Sequence, residues 1–207
     1  MRRTSEYRGL RPRKIPSQTR AAETVAAIIE AAAQVLETAG LEGFNTNAVA
    51  QRAGVSIGSL YQYFPSKDAL TVALMRRETT RFHEDAAAAL DQPSGQAALE
   101  YLIGASVRQQ LRRPALARLL DVEESRPEMR NEVAASSKAF QDLLVRIVKR
   151  AKSGEERPET VAGDLLAMVR GMVDAAGERG ERDIKDLERR VRAAVFGYLS
   201  RIDGERL

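Results

Sequence analysis

Residues 45–67 read NTNAVAQRAGVSIGSLYQYFPSK, and this stretch decides the fold. It predicts a short helix, a tight turn at Gly54 and a second short helix, because glycine adopts the positive φ that such a turn needs. Asn45 can cap the first helix and Ser56 the second. The second helix carries small, polar and aromatic side chains instead of an apolar face. This layout indicates a helix-turn-helix whose second helix enters the major groove of duplex DNA.

One set of residues in this stretch is predicted to hold the two helices together. Ala50 is expected where the helices cross, because a larger side chain would force them apart. The rest of the inner face is predicted to consist of Val49, Ala53, Val55 and Leu60.

The outward residues are predicted to contact DNA. Thr46 lies in the first turn of the first helix, where its hydroxyl and the free N–H groups can bind a phosphate. In the second helix, Gln62 can pair with an adenine edge and Ile57 can contact a thymine methyl. Tyr61, Tyr63 and Lys67 are better placed for phosphates, although either tyrosine could instead be a half-buried core residue. The predicted contacts are Thr46, Asn47, Ser56, Ile57, Gly58, Ser59, Tyr61, Gln62, Tyr63 and Lys67.

The positive charge lies mainly at the N-terminus. Residues 1–20 hold seven basic side chains and one acidic side chain, whereas the other 187 residues hold 26 basic and 28 acidic ones. Residues 1–18 contain Gly9, Pro12 and Pro16 and no apolar period, so we expect a disordered basic arm. Such an arm can follow a phosphate backbone or enter a minor groove, or it can simply aid solubility.

Composition excludes several kinds of site. The chain has no cysteine and one histidine, so thiolate and histidine-rich metal sites are excluded, and no cofactor or catalytic constellation is expected. No phosphate-cradling glycine loop is present, which argues against an enzyme. No run of about 18 apolar residues indicates a membrane span. We therefore expect a cytoplasmic protein without a membrane partner.

Apolar residues recur at helical spacing throughout, and no segment alternates with period two, so the fold class is predicted as all-α. We predict a DNA-binding domain over 19–80, with the motif at about 45–64, and a second helical domain over 81–207. Helices in the second domain are expected near 94–112, 114–125, 127–152, 158–178 and 183–202.

The segment from about residue 20 to residue 80 resembles the DNA-binding domain of the tetracycline-repressor (TetR) family. The resemblance rests on Ala31-Ala32, Gly40, Phe44-Asn45-Thr46, Val49-Ala50, Ala53-Gly54-Val55-Ser56, Gly58-Ser59-Leu60-Tyr61, Tyr63-Phe64, Ser66-Lys67 and Leu70. It implies a homodimeric transcription regulator, usually a repressor, released from a palindromic operator by a small molecule. It also implies that the C-terminal helices bind this effector, which we expect to be partly hydrophobic. The alternative is a DNA-binding regulator without an effector, controlled by a protein partner.

The last two predicted helices are the candidates for the dimer interface. Small residues at i+4 spacing allow close helix approach, and the final helix carries an apolar stripe. Both stripes could instead pack only within one subunit. The predicted interface is Gly163, Ala167, Gly171, Ala175, Leu187, Val191, Ala194 and Tyr198.

No motif identifies the residues that bind the effector. The candidate linings are large side chains, each of which is more often ordinary core than pocket wall, namely Phe82, Tyr101, Leu119, Met129, Phe140, Leu144 and Met168. His83 is expected to be an exposed surface residue.

Overall fold

The structure, a computed structural model, describes residues 19–152 and 155–202. These ranges contain α-helices and short 3-10 turns but no strand, so the all-α prediction is confirmed. The predicted basic arm, residues 1–18, lies outside the described residues. The helices are α1 (Thr19–Gly43), α2 (Thr46–Ala53), α3 (Ile57–Tyr63), α4 (Lys67–Ala87), α5 (Gly95–Arg112), α6 (Pro114–Glu124), α7 (Arg130–Ala151), α8 (Pro158–Glu178) and α9 (Ile184–Ile202).

Local signals place the helix ends close to the predicted positions. The Ser66 hydroxyl accepts a hydrogen bond from the Ala69 N–H at 3.1 Å and begins α4. Pro114 and Pro158 are the first residues of α6 and α8, where a missing N–H costs no hydrogen bond. The helix predicted over 127–152 is divided, because a 3-10 turn, Pro127–Met129, precedes α7.

The described chain forms two compact units. The first comprises residues up to 79 together with 119–132, and the second comprises 80–118 and the residues from 133 onward. The boundary after residue 79 lies near the predicted one. Residues 119–132, which we call the strap, were predicted in the second domain but belong to the first unit, because their side chains pair with α4.

The core of the first unit is the buried face of α1 with the helices that pack on it. Ile28, Ala32 and Leu36 recur at helical spacing on α1 and are fully buried. Phe44, in the loop after α1, is 2% exposed and fills the space beside them. Burying these side chains supplies the main favourable free energy for holding two short helices in place.

In the second unit, α5, α8 and α9 pack on one another and α7 completes the core. Gly95 begins α5 against the end of α7, and a Cβ at this glycine would stand 2.1 Å from the backbone nitrogen of Ala151. The Arg150 guanidinium donates to the carbonyls of Leu90 and Gln92 at 2.8 and 2.7 Å. A glycine is therefore required where α5 meets α7.

By length and hydropathy alone, residues 20–43 of α1 could span a membrane. Ile28, Val35 and Leu36 of this segment, however, are buried in the core of the first unit. A core helix passes the same test, so α1 is weak grounds for a membrane span.

Ion pairs attach the strap to α4. The Arg126 guanidinium donates to Asp68 at 2.9 Å and to Glu123 at 2.7 Å. The Glu123 side chain is only 6% exposed, so its charge depends on this partner. Arg76 of α4 also pairs with Glu132 at the end of the strap. These carboxylates raise the pKa of both arginines above their ordinary value.

We expect Arg126→Met to lower the free energy of unfolding by about 1–3 kcal/mol, because it leaves the Glu123 carboxylate buried without a cation. Arg130→Met, which removes an exposed arginine nearby, should change it by less than about 0.5 kcal/mol. Urea unfolding followed by circular dichroism measures both. Equal midpoints for the two variants would show that the Arg126 ion pairs add nothing to stability.

Candidate DNA-binding surface and effector cavity

The turn between α2 and α3 has the predicted backbone. Gly54 has φ 68° and ψ 28°, and its N–H donates to the Gln51 carbonyl at 3.2 Å. No atom lies within 4 Å of a Cβ built at Gly54, so the positive φ, and not lack of space, is what favours glycine. Ala50 is 3% exposed, in agreement with its predicted place at the helix crossing.

Side-chain caps begin both helices of the motif. Asn45 accepts a hydrogen bond from the Ala48 N–H at 2.9 Å, and Ser56 accepts one from the Ser59 N–H at 3.0 Å. The hydroxyls of Ser56 and Ser59 also lie 2.9 Å apart. Both predicted caps are therefore confirmed, and the two serine hydroxyls form a polar pair at the start of α3.

Helix α3 turns one large side chain inward and leaves its other side in solvent. Leu60 is fully buried, whereas Ile57 is 38% and Tyr61 42% exposed. Gly58 and Gln62 are exposed as well, and Ser59 is half-buried. A soluble helix that exposes an isoleucine and a tyrosine beside a glutamine presents a surface suited to a partner.

The predicted phosphate contacts fall into two groups in the structure. The Thr46 hydroxyl lies 3.1 Å from the Tyr61 hydroxyl, which brings the first turn of α2 and the outer side of α3 together. Lys67 places its ammonium 5.1 Å from the ring centroid of Phe44, and this cation–π contact orients the charge. Asn47 is exposed, whereas Tyr63 is half-buried, as the alternative interpretation of the tyrosines allowed.

Sequence inspection did not single out Arg52, the other cation between residues 45 and 67. Its Nε donates to Gln34 Oε1 of α1 at 2.7 Å. The two residues are 18 positions apart, so no helical spacing could have indicated the pair. The outward surface of the motif consequently consists mostly of neutral hydrogen-bonding groups.

The second unit contains an apolar cavity of about 40 Å³. Helices α5, α7, α8 and α9 line it, and Ser106 is the polar residue in its wall. The lining is Leu99, Leu102, Ile103, Ser106, Phe140, Leu144, Leu165, Leu166, Val169 and Val195. Of the candidate linings named from sequence, Phe140 and Leu144 are present and the other five are not. Apolar periodicity does not separate cavity walls from solid core.

An aromatic cluster joins the cavity wall to the C-terminal end of α4. The Phe140 ring lies 5.0 Å from Phe82 and stacks on His83 at 5.9 Å with an interplanar angle of 6°. His83 is half-buried, so the expectation of an exposed histidine was wrong. Burial lowers the pKa of His83 below its ordinary value, so the ring is mainly neutral at pH 7.

The small residues of α8 lie mostly on an uncovered face. Ala167 and Gly171 are exposed, and Gly163 and Ala175 are half-buried. A Cβ built at Gly163 or Gly171 meets no atom within 4 Å in the part of the chain that the structure describes.

The predicted interface residues of α9 divide into two groups. Ala194 and Tyr198 are half-buried, and the Tyr198 hydroxyl donates to Asp164 of α8 at 2.5 Å. This bond raises the pKa of Tyr198 to about 12. Leu187 and Val191, in contrast, are fully buried within their own subunit and leave no surface for a partner. These two residues belong to the core of the second unit.

Among the described residues, no group of three or more His, Asp or Glu side chains could hold a metal ion.

Family models match most of the described chain. Residues 28–74 match the model described as "Bacterial regulatory proteins, tetR family", and residues 96–199 match "Tetracyclin repressor-like, C-terminal domain". The chain belongs to the TetR family. Members of this family are transcription regulators that bind DNA, so the predictions of a DNA-binding regulator and of a protein that is not an enzyme are confirmed.

The curated relatives include proteins named HTH-type transcriptional repressor KstR. The protein from Rhodococcus jostii is 30% identical over 152 residues, which cover 71% of this chain and 66% of the relative. The protein from Mycolicibacterium smegmatis is 36% identical over 90 residues, which cover 43% and 44%. The alignments thus span less than two thirds of the length of these curated relatives.

Solved structures of bacterial regulators named FadR share the fold. The fatty acid degradation regulator FadR from Bacillus halodurans has a TM-score of 0.75 at 20% identity, covering 84% of this chain and 95% of that one. FadR from Bacillus subtilis in complex with stearoyl-CoA has a TM-score of 0.72 at 18% identity, covering 82% and 96%.

We expect Gln62→Ala to relax base preference at one operator position by about 1–3 kcal/mol, because Gln62 is exposed on α3 and can pair with a base edge. Tyr61→Phe removes a hydroxyl that we predict contacts phosphate and should weaken binding to all sequences by a similar factor. Binding to a set of single-base variants of the preferred site, measured by fluorescence anisotropy, separates the two effects. An unchanged preference in Gln62→Ala would mean that this face of α3 does not read bases.

Proposed function

We propose that this TetR-family regulator is a homodimeric cytoplasmic repressor that binds a palindromic operator and is released by a small apolar effector. The observation that carries the DNA-binding part is the outer face of α3. There an isoleucine, a glycine and a glutamine are exposed without a packing role. Ser56 and Ser59 begin this face, and the hydroxyls of Thr46 and Tyr61 meet beside it.

The charge distribution supports recognition of the operator by hydrogen bonds and apolar contacts more than by net charge. Residues 21–70 hold two basic and five acidic side chains, so this part of the chain is not attracted to DNA by net charge. Hydrogen bonds and apolar contacts from α3 would therefore carry operator selectivity. Long-range attraction would depend on the basic residues among positions 1–20.

The uncovered face of α8 supports the homodimer. Glycine and alanine at four-residue spacing let two helices approach closely, and among the described residues no side chain fills the space over Gly163 and Gly171. We propose an interface formed by Gly163, Ala167, Gly171 and Ala175 of α8 and by Ala194 and Tyr198 of α9. A two-fold dimer presents two copies of α3, which matches a palindromic site.

The cavity of the second unit supports an apolar effector. Nine of its ten lining residues are apolar, and Ser106 offers one hydroxyl. A space of about 40 Å³ has room for only a few water molecules, so a larger ligand must displace lining side chains. Phe140 is one of these side chains, and its ring also contacts Phe82 and His83 of α4. We propose that an effector moves Phe140 and through it the end of α4.

The relatives indicate which compounds to try first. The FadR structure from Bacillus subtilis contains stearoyl-CoA, and the apolar lining here is compatible with an acyl chain. Long-chain acyl-CoA thioesters and free fatty acids are accordingly the first probes.

We expect wild-type protein to be dimeric and to select palindromic duplexes from a random pool, with half-sites roughly 34–36 Å apart or slightly more. Gly171→Arg should yield folded monomers, because it places a charged side chain on the small-residue face, and should weaken binding to the selected duplex at least about tenfold by removing the second contact. Ala115→Arg, an exposed site on α6, is the matched control. Light scattering and anisotropy report both properties. A dimer that persists in Gly171→Arg would place the interface elsewhere.

We expect an effector at one hundred times its Kd to stabilise the protein by about 2.7 kcal/mol and to release the selected duplex. Val169→Phe, which fills the cavity, should abolish both effects. Val145→Phe, the same change at a half-buried site outside the lining, should preserve them. Thermal shift and anisotropy with the acyl compounds and a wider hydrophobic panel provide the measurements. If no compound shifts the melting temperature, control by a protein partner becomes the favoured alternative.

A further inference from the structure

A series of hydrogen bonds connects α2 to α4 across the surface of α1. Arg52 of α2 donates to Gln34 at 2.7 Å, and Gln34 Nε2 donates to Glu30 Oε1 at 3.2 Å. Arg77 Nη1 of α4 then donates to Glu30 Oε2 at 2.8 Å. We call this series, formed by Arg52, Gln34, Glu30 and Arg77, the relay.

The α4 end of the relay is Arg77, whose side chain is mostly shielded from solvent. The Arg77 side chain is 15% exposed, and its Nε donates to Glu78 at 2.9 Å. Glu78 is itself only 10% exposed in its side chain. A charge-assisted pair with so little solvent is held in one geometry more firmly than an exposed pair. The Arg77 guanidinium therefore holds the Glu30 carboxylate in one position.

The α2 end of the relay, Arg52, belongs to a helix whose orientation is not fixed by its own length or by its apolar contacts. Helix α2 has eight residues, fewer than an isolated helix needs for stability in water. Its buried residues, Val49 and Ala50, make apolar contacts, which hold it near α1 but depend weakly on direction. A hydrogen bond is directional, so the bond from Arg52 to Gln34 restricts the inclination of α2.

The inclination of α2 matters because α3 follows it after a turn of three residues. Helix α3 has seven residues and is about 10 Å long. A rotation of roughly 5° about one end therefore displaces the other end by about 1 Å, whereas hydrogen-bond distances vary by only a few tenths of an ångström. Such a rotation would disrupt contacts with base edges and still leave the protein able to approach phosphates.

We propose that Gln34 and Glu30 are positioning residues for operator recognition, acting through the relay to fix the orientation of α2 and α3 against α4. Gln34 accepts from Arg52 and donates to Glu30, and Glu30 accepts from both Gln34 and Arg77, so each member is held by its neighbour. Gln34 is central, since it accepts from α2 and donates toward the carboxylate that α4 holds. The relay determines how well α3 fits a specific sequence and contributes little to non-specific binding.

The test compares binding to two duplexes of equal length, one selected from a random pool by the wild-type protein and one unrelated. Gln34→Leu removes both hydrogen bonds at a half-buried position of α1. We expect about tenfold weaker binding to the selected duplex, the order of one hydrogen bond, with binding to the unrelated duplex within about twofold of wild type. Thr38→Ala, which removes a hydroxyl bonded to the carbonyl of residue 34 one turn further along α1, should match wild type on both.

A double exchange provides the rescue. Glu30→Gln/Gln34→Glu exchanges the carboxylate and the amide. It preserves the charge and the number of hydrogen bonds in the relay, and it reverses the direction of the bond between positions 30 and 34. Arg52 then donates to the carboxylate introduced at position 34, the amide introduced at position 30 donates to it as well, and Arg77 donates to the amide oxygen. We expect this variant to bind the selected duplex within about threefold of wild type and better than Gln34→Leu.

The possible outcomes separate this inference, which rests on the proposed operator binding, from that proposal itself. If wild-type protein selects no sequence, operator binding fails. If wild type selects a duplex that Gln34→Leu binds equally well, the relay has no positioning role. Equal losses of affinity for both duplexes would also show that the relay has no positioning role. So would a folded double variant that binds the selected duplex no better than Gln34→Leu. Should Gln34→Leu lower the melting temperature substantially, Gln34→Met, which keeps the side-chain length, takes its place.

Discussion

The apolar face of α1 is the constraint on which the DNA-binding unit depends. Helices α2 and α3 have eight and seven residues and would not persist alone. They form because Val49, Ala50 and Leu60 are buried in the core that Ile28 and Leu36 of α1 begin. The small side chain of Ala50 permits the close crossing, and the positive φ of Gly54 redirects the chain. Once these apolar residues are buried, Ile57, Tyr61 and Gln62 remain on the exposed side of α3.

Apolar burial brings the helices together, and polar contacts then restrict how they are oriented. Arg126 joins the strap to the first turn of α4, and Arg77 holds Glu30 of α1 near the other end of the same helix within this unit. A hydrophobic face alone would tolerate small rotations that hydrogen bonds do not. Under the proposed operator binding, in which the outer face of α3 reads a sequence, those small rotations would decide selectivity.

The second unit combines a packed core with a small cavity. Phe140 and Leu144 of α7 line the cavity together with residues of α5, α8 and α9, and its lining offers almost no polar partner. Phe140 also stacks on His83, so the same ring belongs to the cavity wall and to the surroundings of α4. A ligand that displaced this ring would change the environment of a helix that begins in the first unit, which is the physical basis of the proposed release.

Sequence alone determined the all-α class, the helix limits within a few residues, both caps of the motif and the TetR-family resemblance, because these depend on local spacing and on Gly, Pro, Ser and Asn at particular positions. It also separated Leu60 from the outward residues of α3. Only the tertiary structure decided that Leu187 and Val191 are core, that the strap belongs to the first unit, and that Arg52 bonds to Gln34. Each of these depends on which distant residues meet, and helical periodicity shows that a face is apolar without showing what covers it.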